Sequence, residues 1–277
     1  MKRLLVGMDR SQGAEAALRW AASIADQLGA EIVAVSAWTP QQAELPPTEW
    51  EAEHRELFGA LRAEIDELAG MRSVRSDIVD GAPVDVLLER CEIEDADLVV
   101  VGLRGSGGFL DLRLGSVTDM LAHHTNRPLA VVPAAPPLGV RRIVLGVDGS
   151  EGAVAAASWC AAFASGLGAE VNAVSVYTQQ YEIVPEQDVN SVFQYFKRAV
   201  SDEWIAPLRD AGVTVHPELL HGRHVAETLI EVAQRVDAEL IVVGTHGFAP
   251  LVRMRLGGVA MRLLHTTPLP VVLVPPR

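Results

Sequence analysis

Arg3-Leu4-Leu5-Val6-Gly7-Met8-Asp9-Arg10-Ser11-Gln12-Gly13-Ala14 returns later in the chain as Arg142-Ile143-Val144-Leu145-Gly146-Val147-Asp148-Gly149-Ser150-Glu151-Gly152-Ala153. In each copy an apolar run of strand character ends in Gly-x-Asp-x-Ser, and an alanine-rich helical pattern follows in which Trp20 is matched by Trp159. The copies are displaced by 139 residues, a shift that also aligns Ala30–Thr39 with Ala169–Thr178. Further on, Ala96–Gly102 matches Ala238–Gly244 and Arg127–Pro133 matches Thr267–Leu273, at a shift close to 142. A repeat this long is a duplicated domain, not a solenoid unit. The length of 277 residues agrees, since a domain takes about 150. Pro133-Ala-Ala-Pro-Pro-Leu-Gly139 reads as the linker, stiffened by proline. Domains are expected at 1–137 and 138–277.

Within the first copy, Leu4–Met8, Ile32–Ala37, Val74–Val79, Leu98–Val101 and Leu129–Val132 read as short strands buried on both faces. Ala14, Ala17, Leu18, Ala21, Ile24, Ala25 and Leu28 recur at helical spacing between the first two, and Glu51–Leu68 and Val84–Ile93 read as further helices. The order βαβαβαβαβ predicts an α/β fold: two tandem doubly wound parallel sheets, Rossmann-like in layering. Ligands in such sheets bind beyond the carboxyl ends of the strands, where the strand order reverses.

Composition narrows the function. Asp and Glu number 36 against 23 Lys and Arg, and the net charge of −13 would repel phosphate backbones and anionic lipid, so neither nucleic acid nor membrane is an expected partner. No apolar run reaches the roughly 20 residues of a membrane span, and a cytoplasmic address is expected. Cys91 and Cys160 are too few for a disulfide framework or a metal cluster and read as small core residues.

The most informative loop is Gly102-Leu-Arg104-Gly105-Ser106-Gly-Gly-Phe-Leu-Asp-Leu-Arg113-Leu-Gly115-Ser116-Val117. It leaves a strand, passes through glycines that allow close backbone approach, and enters a helix at Ser116. Loop amides and the free N–H groups of a helix start can hold an anion without many cations, which suits phosphate in an acidic chain. The spacing is neither GxxxxGK[ST] nor a GxGxxG after the first strand, which disfavours a P-loop NTPase and a standard dinucleotide fold.

Gly102-x2-Gly105-x9-Gly115-Ser116 resembles the ATP-binding signature of the universal stress protein family, and Gly7-Met8-Asp9-Arg10-Ser11 and Gly146-Val147-Asp148-Gly149-Ser150 resemble that family's opening. The likeness covers essentially the whole chain, arranged like the tandem actinobacterial members. It implies ATP as ligand, with or without Mg. Asp9 would then face the ribose, Ala37 with Trp38 the adenine, and Gly102, Gly105, Gly115 and Ser116 the phosphates, with Gly7, Arg104, Ser106 and Val117 as further binding residues. The second copy would offer Gly146, Asp148, Val176 with Tyr177, Gly244, Gly247, Gly257 and Gly258. Gly258 departs from the signature, lacking a hydroxyl where Ser or Thr is called for. Arg10 stands where a glycine is usual and would either reach phosphate or extend into water. The resemblance further implies a nucleotide-dependent stress regulator that meets an unidentified protein partner. Its two halves would form an intramolecular pseudo-dimer through Leu129–Val132 and Leu269–Val274, and a homodimer would also be open to it. A slow Mg-dependent ATP hydrolase and a nucleotide-free interaction module are the alternatives.

Plainer roles stand beside these. Ser116 opens Ser-Val-Thr-Asp119, a capping-box-like start. Asp9 is equally readable as a helix cap with Ser11. His221 and His224 are three apart but no third ligand lies nearby in sequence, and the neighbours His123 and His124 cannot chelate together. Trp20 and Trp159 read as core anchors. No Ser–His–Asp set can be assembled, and Lys2 and Lys197 are the only lysines, so catalysis has few cations to draw on.

Overall fold

The computed structural model describes residues 1–38, 74–105, 114–177, 186–247 and 256–276, together with 59, 62, 63, 65 and 67, which are helical. The rest of the expected helix Glu51–Leu68, Ser106 and Arg113 lie outside the described residues. The chain divides into two compact units, Lys2–Ala135 and Pro136–Arg277.

The first unit runs β1 (Arg3–Gly7), α1 (Gln12–Leu28), β2 (Glu31–Trp38), β3 (Arg75–Asp80), α2 (Pro83–Ile93), β4 (Leu98–Gly102), α3 (Ser116–His124) and β5 (Leu129–Val132). Its strands are parallel, in the order β3-β2-β1-β4-β5. The order reverses between β1 and β4, so the loops leaving those two strands open side by side at one end of the sheet. β1, β4 and β5 are apolar because helices cover both faces: Leu4, Leu5, Val6, Leu98, Val100 and Leu129 are sealed from solvent. β3 departs from the expectation of burial on both faces. It is the edge strand with β2 as its one neighbour, and its six residues, Arg75-Ser-Asp-Ile-Val-Asp80, are half-buried or exposed. Pairing on one side leaves its polar residues in water.

α1 starts where Ser11, in extended conformation, accepts the Ala14 N–H at 3.1 Å through Oγ, and it ends at left-handed Gly29. Its inner face buries Ala17, Leu18, Trp20, Ala21 and Ile24 against the sheet.

The second unit repeats the plan: β6 (Arg142–Gly146), α4 (Glu151–Leu167), β7 (Glu170–Tyr177), α5 (Glu186–Ser201), α6 (Ala206–Asp210), β8 (Val215–His221), α7 (Val225–Arg235), β9 (Leu240–Gly244), α8 (Gly258–Thr266) and β10 (Val271–Val274), with strand order β8-β7-β6-β9-β10. Register repeats as well: Gly7 lies opposite Val35, and Gly146 opposite Val174. A carboxylate before the fourth strand closes the start of the first in each unit. Asp97 accepts the Arg3 N–H at 3.0 Å, and Glu239 accepts the Arg142 N–H at 2.7 Å.

One anchor differs from expectation. Trp20 is fully buried, but Trp159 is only half-buried and stacks on Phe163 with ring centroids 4.7 Å apart. Phe163 occupies the repeat position of Ile24 and fills the interior itself, so the second unit's tryptophan lies over it. Cys91 and Cys160 are buried core thiols, as expected.

Candidate functional site

In the first unit the loops after β1 and β4 are pressed together by glycines. A Cβ on Gly13, in the first turn of α1, would overlap the Arg104 carbonyl oxygen, and one on Gly102 would overlap the Gly13 backbone. Two main chains touch here with no room for a side chain. The contact carries the β4 loop over the start of α1, and Gly105 comes against Asp9 so closely that a Cβ would overlap Asp9 Oδ2.

Asp9 itself is exposed, and its Oδ1 accepts the Ser11 N–H at 3.1 Å. The helix cap is therefore Ser11, while Asp9 forms the turn that precedes it and keeps its carboxylate at the open strand end. Ser116 is corrected in the same way. The cap of α3 is Gly115, extended at φ −72° and ψ 147°, and among the described residues no side chain caps the helix start. Ser116 is already in the helix and exposed, so its hydroxyl is not used as a cap. Gly115 N–H donates to the Leu103 carbonyl at 2.9 Å, and Thr118 Oγ1 donates to the Gly102 carbonyl at 2.8 Å, which together fasten α3 to the end of β4. The leading amides of α3 face a terminus without side-chain caps, the arrangement that favours an anion.

These elements enclose a cavity of about 400 Å³, within the size range of small-molecule sites. Of the residues expected at the site, Gly7, Asp9, Ala37, Gly102, Arg104, Gly105, Gly115, Ser116 and Val117 line it. Trp38 does not: it is buried, and its carbonyl accepts the Gly81 N–H at 3.0 Å. Its neighbour Ala37 does line the cavity, with Val35 and Ser36 before it on the same strand. Sequence reasoning missed the apolar wall of Met8, Val35, Pro83, Leu87 and Val101, and also Ser36 and Thr118. Pro83 and Leu87 belong to α2, where they read as ordinary helix start and core, with no chemical signal of a ligand. The cavity thus has an apolar slot between α2 and the ends of β1 and β2. Toward α3 its described lining is polar, with Gly105, Gly115 and Ser116 beside two basic residues, Arg10 and Arg104, and the acidic Asp9.

The second unit rebuilds the same backbone. A Cβ on Gly152 would overlap the His246 carbonyl, one on Gly244 would come 2.5 Å from Gly152, and one on Gly247 would come 2.6 Å from Asp148 Oδ2. Asp148 accepts the Ser150 N–H at 2.9 Å, and Gly257 donates to the Thr245 carbonyl at 2.7 Å. Gly146 packs against Leu229 and Val243 as Gly7 does against Leu87 and Val101, and Val176 closes β7 half-buried. Gly258 begins α8 in open space, exposed.

The residues at the matching positions differ in chemistry. His246 stands where the first unit has Arg104, with Nδ1 3.0 Å from Thr245 Oγ1. Gly149 stands where the first has Arg10. Both positions are left-handed, at φ 83° for Gly149 and 61° for Arg10. The Trp204 indole lies against Gly149, with Cε2 and Cζ2 2.6 Å from where a Cβ would be. His221 lies tilted on Tyr177 at 5.1 Å, and His224 is the extended cap residue of α7. Among the described residues, no three His, Cys, Asp or Glu side chains gather closely enough to hold a metal ion. Nor, among those residues, is any helix long and apolar enough to cross a membrane.

The sequence model of the universal stress protein family matches residues 1–133 and again residues 139–275. A universal stress protein of Mycolicibacterium smegmatis is 29% identical, covering 99% of this chain and 97% of its own length. One from Mycobacterium tuberculosis H37Rv is 27% identical over 97% of this chain and 95% of its own. Among solved structures, a universal stress protein from Archaeoglobus fulgidus superposes with a TM-score of 0.72 at 17% identity, covering 99% of this chain and 98% of that one, which shows the shared fold. With two family matches spanning nearly its whole length and the same α/β architecture in each, the chain belongs to the universal stress protein family, as a tandem pair of its domains.

Proposed function

We propose that the first unit binds ATP and that the chain acts in the cytoplasm as a nucleotide-dependent regulator of a stress response. The observation that carries this reading is the cavity itself. Asp9, the uncapped amides at the start of α3 and the glycine loop converge on one end of it, and an apolar slot occupies the other. An adenine nucleotide has the same division: a flat, largely apolar base, a ribose whose hydroxyls suit a carboxylate, and a polyanionic tail. The base would lie between Leu87, Pro83 and Ala37, the ribose beside Asp9, and the phosphates along Gly105, Gly115, Ser116 and Val117.

Mg, where present, would arrive with the phosphates. Among the described residues Asp9 is the one carboxylate of the lining, and one of its oxygens already accepts the Ser11 amide. The donor set fits a cation shared with the nucleotide and not a resident metal.

Binding of this kind regulates by linkage. A ligand that prefers one conformation or assembly of the chain raises the population of that state by its difference in affinity. An unidentified protein that recognises the loaded state would then read occupancy.

Calorimetry of ligand-free protein with ATP, ADP, AMP and adenosine, each with and without Mg, tests the reading. Saturable binding with a stoichiometry of at least one supports it. Absence of heat with every adenylate, together with an unchanged melting temperature, overturns it. Ligand at 100 times its Kd should stabilise the first unit by about 2.7 kcal/mol, which a thermal scan resolves.

A further inference from the structure

Arg10 is a non-glycine residue in left-handed conformation, at φ 61°, on the rim of the cavity it helps to line. An L-residue with a long side chain held there costs about 1 kcal/mol relative to glycine. The second unit has glycine at the matching position, and the fold leaves no alternative. Gly149 lies at φ 83° beneath the Trp204 indole, so a side chain there would meet both backbone strain and a buried ring. The same turn therefore carries a cation in one unit and excludes any side chain in the other. His246 in place of Arg104 widens the difference, since the first unit has an arginine at each of these two positions and the second has none.

We infer that Arg10 determines how many phosphates the first cavity selects, favouring nucleotides with a polyphosphate tail over the monophosphate and the nucleoside. This deepens the reading of the cavity as an adenine-nucleotide site and rests on it. The Gly105 amide and the start of α3 offer donors suited to the first phosphate groups. Each further phosphate adds negative charge toward the cavity mouth, where Arg10 stands and where the fork of a guanidinium can bind two phosphate oxygens at once. Asp9, the neighbouring carboxylate, disfavours extra negative charge, so a cation beside it is needed for a longer tail to gain affinity over a shorter one.

The test is the ratio of affinities in the full chain, measured by calorimetry for ATP, AMP and adenosine with wild type, Arg10→Gly and Arg10→Lys. Arg10→Gly reproduces the residue of the second unit and relieves the left-handed backbone, so it folds at least as well. Its melting temperature checks that. Wild type should favour ATP over adenosine, and Arg10→Gly should lower that ratio about tenfold, the range of one charge-assisted contact at a partly exposed site. Arg10→Lys should retain part of the ratio, having the charge without the fork. A ratio in Arg10→Gly within twofold of wild type overturns the role of Arg10 and leaves the nucleotide site standing. If wild type binds none of the three ligands, the site assignment itself fails, and that result is distinct from the first.

Discussion

The turn after β1 and the turn after β6 follow the same backbone path and differ in what they carry. Each is Gly-x-Asp-x-Ser, each bonds its aspartate to the serine amide, and each brings that aspartate against a glycine of the following loop. Yet the first turn carries Arg10 and the β4 loop beside it Arg104, where Gly149, covered by Trp204, and His246 stand in the second unit. Duplication kept the scaffold of amides and changed the charges placed around it. The scaffold depends on main-chain contacts that no side chain can replace, whereas the charge of the first unit sits on the exposed residues Arg10 and Arg104, where substitution costs little stability.

The largest expected difference between the units lies away from the cavities, in their buried thiols. Cys91 is pushed up from an ordinary 9.0 to about 11 by burial and then by the Glu92 carboxylate, with Arg127 opposing, and Cys160 is pushed up to about 12 by burial alone. At pH 8 the thiolate populations should fall roughly a hundredfold and a thousandfold below that of a free cysteine. Alkylation of native protein followed by mass spectrometry should label Cys91 faster than Cys160; equal rates would show that both react through global unfolding. The same shifts set a pH dependence. Each thiol holds its proton more tightly folded than unfolded, so above pH 9 the unfolded chain carries fewer protons and stability falls as pH rises. The loss should level off near pH 11 for the first unit and near pH 12 for the second.

Next comes the shared scaffold. Gly102→Ala and Gly244→Ala each force a Cβ into the backbone of the facing helix turn and should destabilise their own unit by about 3 kcal/mol. Native-state hydrogen exchange assigns each loss to its unit. Losses that differ by more than about 2 kcal/mol would break the claim that the two scaffolds are equivalent.

A smaller effect separates binding from folding. Gly105→Ala would displace the Asp9 carboxylate, a side chain that can swing away, so stability should change by less than 1 kcal/mol while ATP affinity drops about tenfold. Gly247→Ala makes the matching displacement of Asp148. Comparing the two losses by calorimetry gives each unit's share of the nucleotide bound. Equal losses would mean that the differing charges at the rim do not differentiate the sites.

Much of this comparison was legible in the sequence because repetition supplies an internal control. Gly7, Asp9 and Gly102 recur as Gly146, Asp148 and Gly244, and a backbone contact needing glycine leaves an unambiguous mark. The buried strands were legible for a similar reason, since a strand covered on both faces must be apolar throughout. β3 was misjudged because edge position follows from tertiary order, which a six-residue window does not contain. Trp159 was misjudged because identity with Trp20 concealed the enlargement of Ile24 to Phe163 one turn away. Pro83 and Leu87 left no functional mark, as an apolar wall facing a ligand has the composition of a core. Gly13 and Gly152 stood in the quoted repeat, but only the approach of two chains far apart in sequence reveals why they are glycine.

The smallest expected effect concerns Gly258, the one signature position at which the second copy lacks a hydroxyl. A Cβ there meets nothing within 4 Å, and its backbone is in ordinary helical conformation at the start of α8. Gly258→Ser should therefore fold without strain, and its stability should rise by a few tenths of a kcal/mol from the better helix propensity. Ser116 is exposed at the matching place and is not spent on capping, so a serine introduced at 258 should likewise present its hydroxyl to an anion. If the missing hydroxyl limits binding in the second unit, the variant should gain a few-fold in ATP affinity at that unit. Calorimetry in a Gly105→Ala background, where the first site is weakened, isolates the gain. An unchanged affinity would locate the difference between the units in the charges of Arg10 and Arg104 instead, because the close glycine contacts described in the first unit recur in the second.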